Sequence, residues 1–343
     1  MLTKIRTSAP GKVILFGEHS VVYGKRCLAT AIDRRTYVTL EGRAESGEIE
    51  VSALDQVFDG PLDGLRARCE ESGEEPFGMC LGVILAIVQW CCDAPVLAFD
   101  GFSLTIESDI PIRRGLGSSA SFCVATTSAV LLKFGKISNK LTDLDKKLVN
   151  EVAFEMETKI HGRASGVDNT ICLYGGILSK LGSSLDVLPG IQLPLLIIDT
   201  LVPRNTSEQV ARVKDRLASH SAVGHLLLDT LGHIADEALV IIKRSTAGNQ
   251  LDLEEQLSEL FEINQGVLDA LGVGHEKVSA VISLCKKYEC RAVKITGAGG
   301  GGSLIALADR SKSEGQSVSA ALREAGFSVL GITTGAEGVR IER

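Results

Sequence analysis

The stretch that most restricts how this chain can fold runs from Ile112 to Gly135, IRRGLGSSASFCVATTSAVLLKFG. Gly115 and Gly117 flank Leu116, Ser118 and Ser119 follow, and small and apolar residues then continue without a proline as far as Lys133. This pattern predicts a glycine loop opening directly into a buried helix. The first N–H groups of a helix have no carbonyl partner, they sit at the positive end of its dipole, and glycine lets backbone approach a bulky anion closely. The junction is therefore suited to phosphate. Taken alone, the same residues could equally form a tight turn with Ser118 as an ordinary N-cap. The loop lacks the Gly-Lys-Ser/Thr ending of a Walker A loop.

The rest of the chain narrows the setting. Its 343 residues suggest two domains, and 45% hydrophobic with 23% charged residues is the balance of a soluble globular protein. A formal net charge of −7 leaves no general field to attract nucleic acid or an anionic membrane, so any phosphate site must be local. Cys27, Cys69, Cys80, Cys91, Cys92, Cys123, Cys172, Cys285 and Cys290 form an odd set without a Cys-x-x-Cys pair, as expected of free thiols in a reducing compartment. The histidines lack the spacing of a structural zinc site. No signal-peptide pattern opens the chain, and the apolar run Met79–Cys92 is shorter than the ~20 residues that span a bilayer, so it reads as a core helix in a cytoplasmic protein.

Near the start, Val13–Phe16 reads as a short strand that Gly17 breaks, delivering Glu18 and His19 to a sheet rim, with Lys12 at the other end of the strand. Isolated charges of this kind are also common on a solvated hairpin edge. Alternation from Ala29 to Val51 predicts strands around a polar turn at Glu41–Glu50, Asp55–Pro76 reads as charged surface, part helix and part loop, and Phe102–Glu107 as another strand. A helix should begin after Thr142 in a capping box with Asp145, bury Leu144, Leu148, Val149, Val152, Met156 and Ile160, and end at Gly162. Glu157 falls at the margin of that apolar stripe, where a carboxylate needs either a basic side chain or a metal. Asp168 lies in a small-residue loop that reads as a turn before a strand.

A domain boundary fits the interruption GSSLDVLPG at Gly182–Gly190, dividing residues 1–186 from 187–343. Beyond it a buried strand at Leu195–Asp199 precedes helices from Glu208 to Tyr288, broken at Gly224, at Ala247–Gln250 and at Gly272–Gly274. The chain then alternates strands Ala292–Thr296, Ser303–Ala308, Val329–Thr333 and Val339–Glu342 with a helix around Val318–Ala325. This is an α+β pattern. Gly297–Gly302, GAGGGG, falls in a hairpin where close approach to the backbone explains the lack of side chains better than a linker does.

The blocks PGKVILFGEH, GLGSSAS and KITGAGGGG, in that order, resemble the GHMP small-molecule kinases, and VVYGK, HGRASGVDN and VPRNT sharpen the likeness toward members that phosphorylate mevalonate. The resemblance implies a two-domain GHMP kinase fold, with an N-terminal ribosomal-S5-like α/β domain and a C-terminal ferredoxin-like α+β domain carrying extra helices. It implies ATP and mevalonate as substrates, Mg²⁺ as cofactor and a homodimer. Residue by residue, it implies Ser119 and Glu157 as magnesium ligands, Asp168 as catalytic base and Lys12 beside it. It puts Ser108, Arg114, Gly115, Leu116, Gly117, Ser118 and Ser119 at the nucleotide, with Gly297, Ala298, Gly299 and Gly300 in a second glycine-rich loop. Lys12, Glu18, His19, Asp168, Arg204 and Thr206 would hold mevalonate.

Hard oxygen donors from two helices suit Mg²⁺, and phosphoryl transfer needs positioned charge more than a covalent nucleophile. The chain departs from the family pattern at Phe122, where a tyrosine is usual, and at Arg113 and Arg114, which replace a proline and a small residue. Those arginines could add phosphate affinity or be solvated. A sugar, homoserine or phosphomevalonate kinase, and a nucleotide-binding regulator without activity, are the competing readings.

Overall fold

The computed structural model describes residues 4–73, 75–92, 99–112, 114–162, 164–203, 205–245, 250–288, 290–307 and 318–342. In chain order the first lobe holds β1 (Lys4–Phe16), β2 (Cys27–Ser46), β3 (Glu48–Ala53), β4 (Gln56–Pro61), α1 (Leu62–Ser72), α2 (Pro76–Cys91), β5 (Asp100–Ser108), α3 (Ser118–Lys133), α4 (Asp143–His161), α5 (Val167–Tyr174), β6 (Ile177–Leu181) and β7 (Ser184–Leu188). The second holds β8 (Pro194–Asp199), α6 (Thr206–Ser219), α7 (Ser221–Ser245), α8 (Gln250–Ala270), α9 (Glu276–Lys287), β9 (Ala292–Ile295), β10 (Ser303–Leu307), α10 (Val318–Glu324) and β11 (Ser328–Thr333), and the final strand β12 (Arg340–Glu342) returns to the first.

The first sheet runs β12-β1-β2-β5-β3-β4, with β6 and β7 continuing from the other end of β2. Its strands pair antiparallel except β3 with β5. The second sheet has the order β11-β8-β10-β9 and is antiparallel throughout, which is the ferredoxin-like arrangement, with α6 to α9 filling the connection from β8 to β9.

β1 is buried almost end to end because both its faces are covered. One core packs Ala9, Ala29 and Leu40 of the first sheet against Val124, Val130 and Val152 of its helices. The other joins Val13, Leu15 and Phe16 to Ile197, Phe261 and Ile305 of the second lobe, so apolar contact is continuous across the two lobes. Phe16 and Phe261 meet edge to face at 5.2 Å.

Several local expectations change. β1 begins at Lys4, so Lys12 lies inside the strand and not at its end. The polar segment Glu41–Ser46 continues β2, and the turn to β3 is reduced to Gly47, because β5 pairs along Glu41 and Gly42 and rewards extension there. The charged region after Asp55 contains the expected helix, α1, but begins with a strand, β4, where a loop was expected. Thr142 and Asp145 do form the capping box, but Leu144 is 80% exposed, since the first turn of α4 projects beyond the core. Asp168 stands in the first turn of a helix, α5. α7 runs through Gly224, and the break lies at His220. The break expected at Ala247–Gln250 lies largely outside the described residues.

Arg35 fastens the returning C-terminal segment. Its buried guanidinium donates to the Ser8 hydroxyl and carbonyl and to the Glu337 and Gly338 carbonyls, at 2.6–3.0 Å. Arg35→Leu should strand those acceptors and lower the thermal midpoint by about 5 °C or more, read by calorimetry; an unchanged midpoint would contradict this role.

Candidate active site

A cleft of about 980 Å³ opens between the lobes, and Lys12, Glu18, His19, Ser108, Gly115, Gly117, Ser118, Ser119, Asp168, Thr206, Gly297 and Ala298 all line it. The glycine loop forms one wall. Gly115 and Gly117 have φ of 76° and 74°, the left-handed region that side chains disfavour. Gly117, not Ser118, is the N-cap of α3, and it makes no side-chain cap. The N–H groups of Ser118 and Ser119 consequently find no protein acceptor among the described residues, and both residues line the cleft. That is the anion-binding end of a helix whose remaining length is buried.

The loop is docked on β1. A register shift between Pro10 and Lys12 frees the Lys12 N–H to donate to the Leu116 carbonyl at 2.8 Å. A Cβ on Gly117 would lie 2.8 Å from Lys12 Cγ, so the lysine passes over the loop only because a glycine is there.

Lys12 Nζ reaches Asp168 Oδ1 at 3.1 Å, with the lysine buried and the carboxylate part exposed to the cleft. α5 supplies Asp168 from its first turn, where the helix dipole favours a carboxylate. Glu157 is buried in the last part of α4 and makes no ion pair or hydrogen bond among the described residues. Burial, followed by the nearby Asp168 charge and opposed by Lys12, pushes its carboxyl up to about 7. The salt bridge that would have satisfied it is absent among the described residues. Ser119 shares a 2.9 Å hydrogen bond with His161 Nε2.

An uncompensated buried carboxylate and a cleft-facing hydroxyl are hard donors of the kind Mg²⁺ takes, with phosphate oxygens and water completing its shell. These residues fit such an ion. His161, at the end of α4 and in the wall of the cleft, went unassigned in the sequence although HGRASGVDN contains it.

Another part of the cleft wall is built across the lobes. Glu18 is not on a solvated edge: it forms a fully buried ion pair with Lys294 of β9, and Asn264 Nδ2 donates to it at 3.4 Å. Lys294 also donates to the Ile295 carbonyl at 2.8 Å. Burial raises the Glu18 pKa and lowers that of Lys294, and each charge opposes the other's shift. His19 has φ of 60°, and its Nε2 donates to the Ala298 carbonyl at 2.9 Å. Burial pulls its pKa down.

The close approach expected at GAGGGG comes from the protein itself. A Cβ on Gly299 would lie 2.4 Å from the Val273 carbonyl, and one on Gly300 would lie 2.3 Å from Gln209 Nε2. Lys294, at the head of that block, is the residue the sequence reading passed over.

Ser108 shares a 2.9 Å hydrogen bond with Thr36 and accepts from the Ile110 N–H at 3.2 Å. Thr206 opens α6 at the cleft, while Arg204 lies outside the described residues. The Arg114 side chain is partly solvated and pairs through Nη1 with Asp199 Oδ2 at 2.7 Å, and Arg114 is not among the residues that line the cleft; Arg113 lies outside the described residues.

A phosphate-ready helix start and a lysine–aspartate pair in one interlobe cleft define a site for moving a phosphoryl group onto an alcohol. The comparisons agree with that class: the GHMP kinases N terminal domain matches residues 82–176, the GHMP kinases C terminal domain matches 250–327, and a galactokinase galactose-binding signature matches 3–41. The mevalonate kinase of Pyrococcus abyssi is 36% identical, covering 98% of each chain, and that of Pyrococcus horikoshii is 35% identical, covering 100% of this chain and 99% of the relative. The crystal structure of the Methanococcus jannaschii mevalonate kinase superposes with a TM-score of 0.78 at 25% identity, covering 98% of both chains. This chain belongs to the GHMP kinase family.

Glu157 carries a pH signature. Its folded pKa, about 7, lies above the ordinary 4.5, so the folded state without metal binds the proton more tightly than the unfolded chain does. Stability should therefore fall as pH rises from 4.5 through 7, by a total on the order of 3 kcal/mol. Metal-free Glu157→Gln should melt above the parent near pH 8 and lose that advantage toward pH 4.5 in paired thermal melts. An advantage independent of pH would contradict the assignment.

Proposed function

We propose that this protein transfers the γ-phosphoryl group of ATP to the 5-hydroxyl of mevalonate, giving 5-phosphomevalonate, a precursor step toward isoprenoids and sterols. The observation that carries the reading is the Lys12–Asp168 pair at 3.1 Å in the same cleft as the unpartnered start of α3. Relatives named mevalonate kinase, aligned over almost the whole chain, support the choice of acceptor.

In this reading the backbone of Arg114–Ser119 cradles the phosphates. Asp168 accepts the proton of the primary hydroxyl as the phosphoryl group arrives, and Lys12 Nζ holds that oxygen and offsets the charge developing on it. Proton transfer from an alcohol to an aspartate is late, so Lys12 contributes through positioning as much as through charge. Ser119 and Glu157 would hold Mg²⁺, which when bound supplies neutralisation of phosphate charge. Arg204 and Thr206 are assigned the mevalonate carboxylate, and Glu18 and His19 its remaining polar groups. Ser108 is assigned to the nucleotide and Gly297–Gly300 to the loop that closes the acceptor end. Residues 1–186 and 187–343 are assigned as the two functional halves of a cytoplasmic homodimer, although the first sheet carries β7 across that boundary to Leu188 and takes back β12.

The galactose-binding signature at residues 3–41 favours a sugar acceptor as the second reading. A coupled ADP-release assay with mevalonate, phosphomevalonate, galactose and homoserine separates the two; turnover with mevalonate alone is expected. Background ATP hydrolysis with every acceptor would leave a nucleotide-binding regulator. Asp168→Asn should lower kcat by about 10²-fold or more with little change in ATP affinity, and unchanged turnover would remove Asp168 from the mechanism. In the same assay Glu157→Gln should raise the Mg²⁺ concentration giving half-maximal rate.

A further inference from the structure

Residue 114 is gripped at two points by the second lobe. Its guanidinium pairs with Asp199 Oδ2 at 2.7 Å, and its carbonyl accepts from the Ser303 hydroxyl at 2.8 Å. Asp199 and Ser303 are directly opposed on β8 and β10, so the two contacts rise from one rung of one sheet. Asp199 is buried, whereas the arginine side chain is 39% exposed, so the carboxylate is the fixed member and the arginine is drawn to it.

The same aspartate also shapes the segment leading to Thr206. Its Oδ1 accepts from the Leu201 N–H at 3.0 Å, and Leu201 has φ of 59°, a backbone conformation that a leucine holds only under constraint. Thr200 secures the same corner through its N–H and hydroxyl, both donated to the Gly302 carbonyl at 2.9 Å. One carboxylate therefore touches the first residue of the nucleotide loop with one oxygen and the turn before the acceptor segment with the other.

We propose that Asp199 is a positioning residue that, with Ser303, clamps Arg114 and couples the nucleotide loop to the acceptor segment, so that ATP and mevalonate each strengthen binding of the other. The proposal rests on the kinase reading above. Asp199 acts through Arg114 here, and it is the backbone of the loop, not the guanidinium, that meets phosphate.

Two substitutions distinguish the clamp from a direct phosphate contact. In the full-length protein, Arg114→Ala and Asp199→Asn should both raise the KM for ATP by about fivefold or more, with a smaller change in kcat, and the double variant should be no worse than the worse single one. Calorimetric titration with an ATP analogue whose γ-phosphate cannot transfer, with and without mevalonate, should show that mevalonate tightens its binding to the parent and that both variants lose this effect. Ser303→Ala, which removes only the bond to the Arg114 carbonyl, should move the same quantities in the same direction, and it keeps the test available if either charged variant fails to fold.

Tighter ATP binding in Asp199→Asn would mean that the freed arginine is itself a phosphate ligand and would overturn the clamp. So would unchanged KM values and retained synergy, or effects of the two substitutions that simply add. If the parent releases no ADP with mevalonate, it is the acceptor assignment that fails, and titration with the analogue alone still reports whether Arg114 and Asp199 act on the nucleotide loop together.

Discussion

The site depends on one close crossing. Lys12 passes over Gly117 at a separation that leaves no room for a methyl group, and its own N–H is bonded to Leu116 of the same loop. Strand, loop and helix start are thereby fixed to one another before any ligand arrives. From this follow the aim of Lys12 at Asp168 and the presence of Lys12, Asp168, Ser118 and Ser119, whose N–H groups lack protein acceptors among the described residues, in one cleft. Preorganisation of this kind avoids reorienting charges during the reaction, which is where much of phosphoryl-transfer catalysis resides.

The opposite wall is assembled from distant parts of the chain. Glu18 and Lys294 neutralise each other in an environment where either charge alone would be strongly destabilising, and the aromatic rings of Phe16 and Phe261 lie 5.8 and 5.5 Å from the ammonium. His19 and Ala298 add a second bond across the lobes. The glycine-rich segment fits here for a reason internal to the protein: Val273 and Gln209 occupy the volume that side chains would need. The two lobes meet through a continuous apolar core, so their relative placement is set by packing as well as by these polar contacts.

Much of this was legible in the sequence where signals were local. Gly115-Leu-Gly117 before an apolar run announced the loop and helix, and Thr142 with Asp145 announced the start of α4. Local signals failed where partners lie far away in the chain. Glu41–Ser46 looked like a turn because the strand that holds it extended, β5, comes some sixty residues later in sequence. Asp168 looked like a turn residue because α5 is short and its glycine N-cap resembles a loop. Lys294, His161 and the Asp199 partner of Arg114 were invisible for the same reason: each acquires its role from a residue that only folding brings near.

The pairing of β12 makes the first sheet depend on a distant segment. β12 pairs with the outer edge of β1, so residues 340–342 complete the sheet that carries Lys12. That edge stays unpaired until segments more than 330 residues apart in sequence meet, so the strand bearing Lys12 is completed by one of the longest-range contacts in the fold. Fraying of β12 would bare that edge for pairing with another chain, so the integrity of the strand that carries Lys12 rests on three residues far away in the sequence.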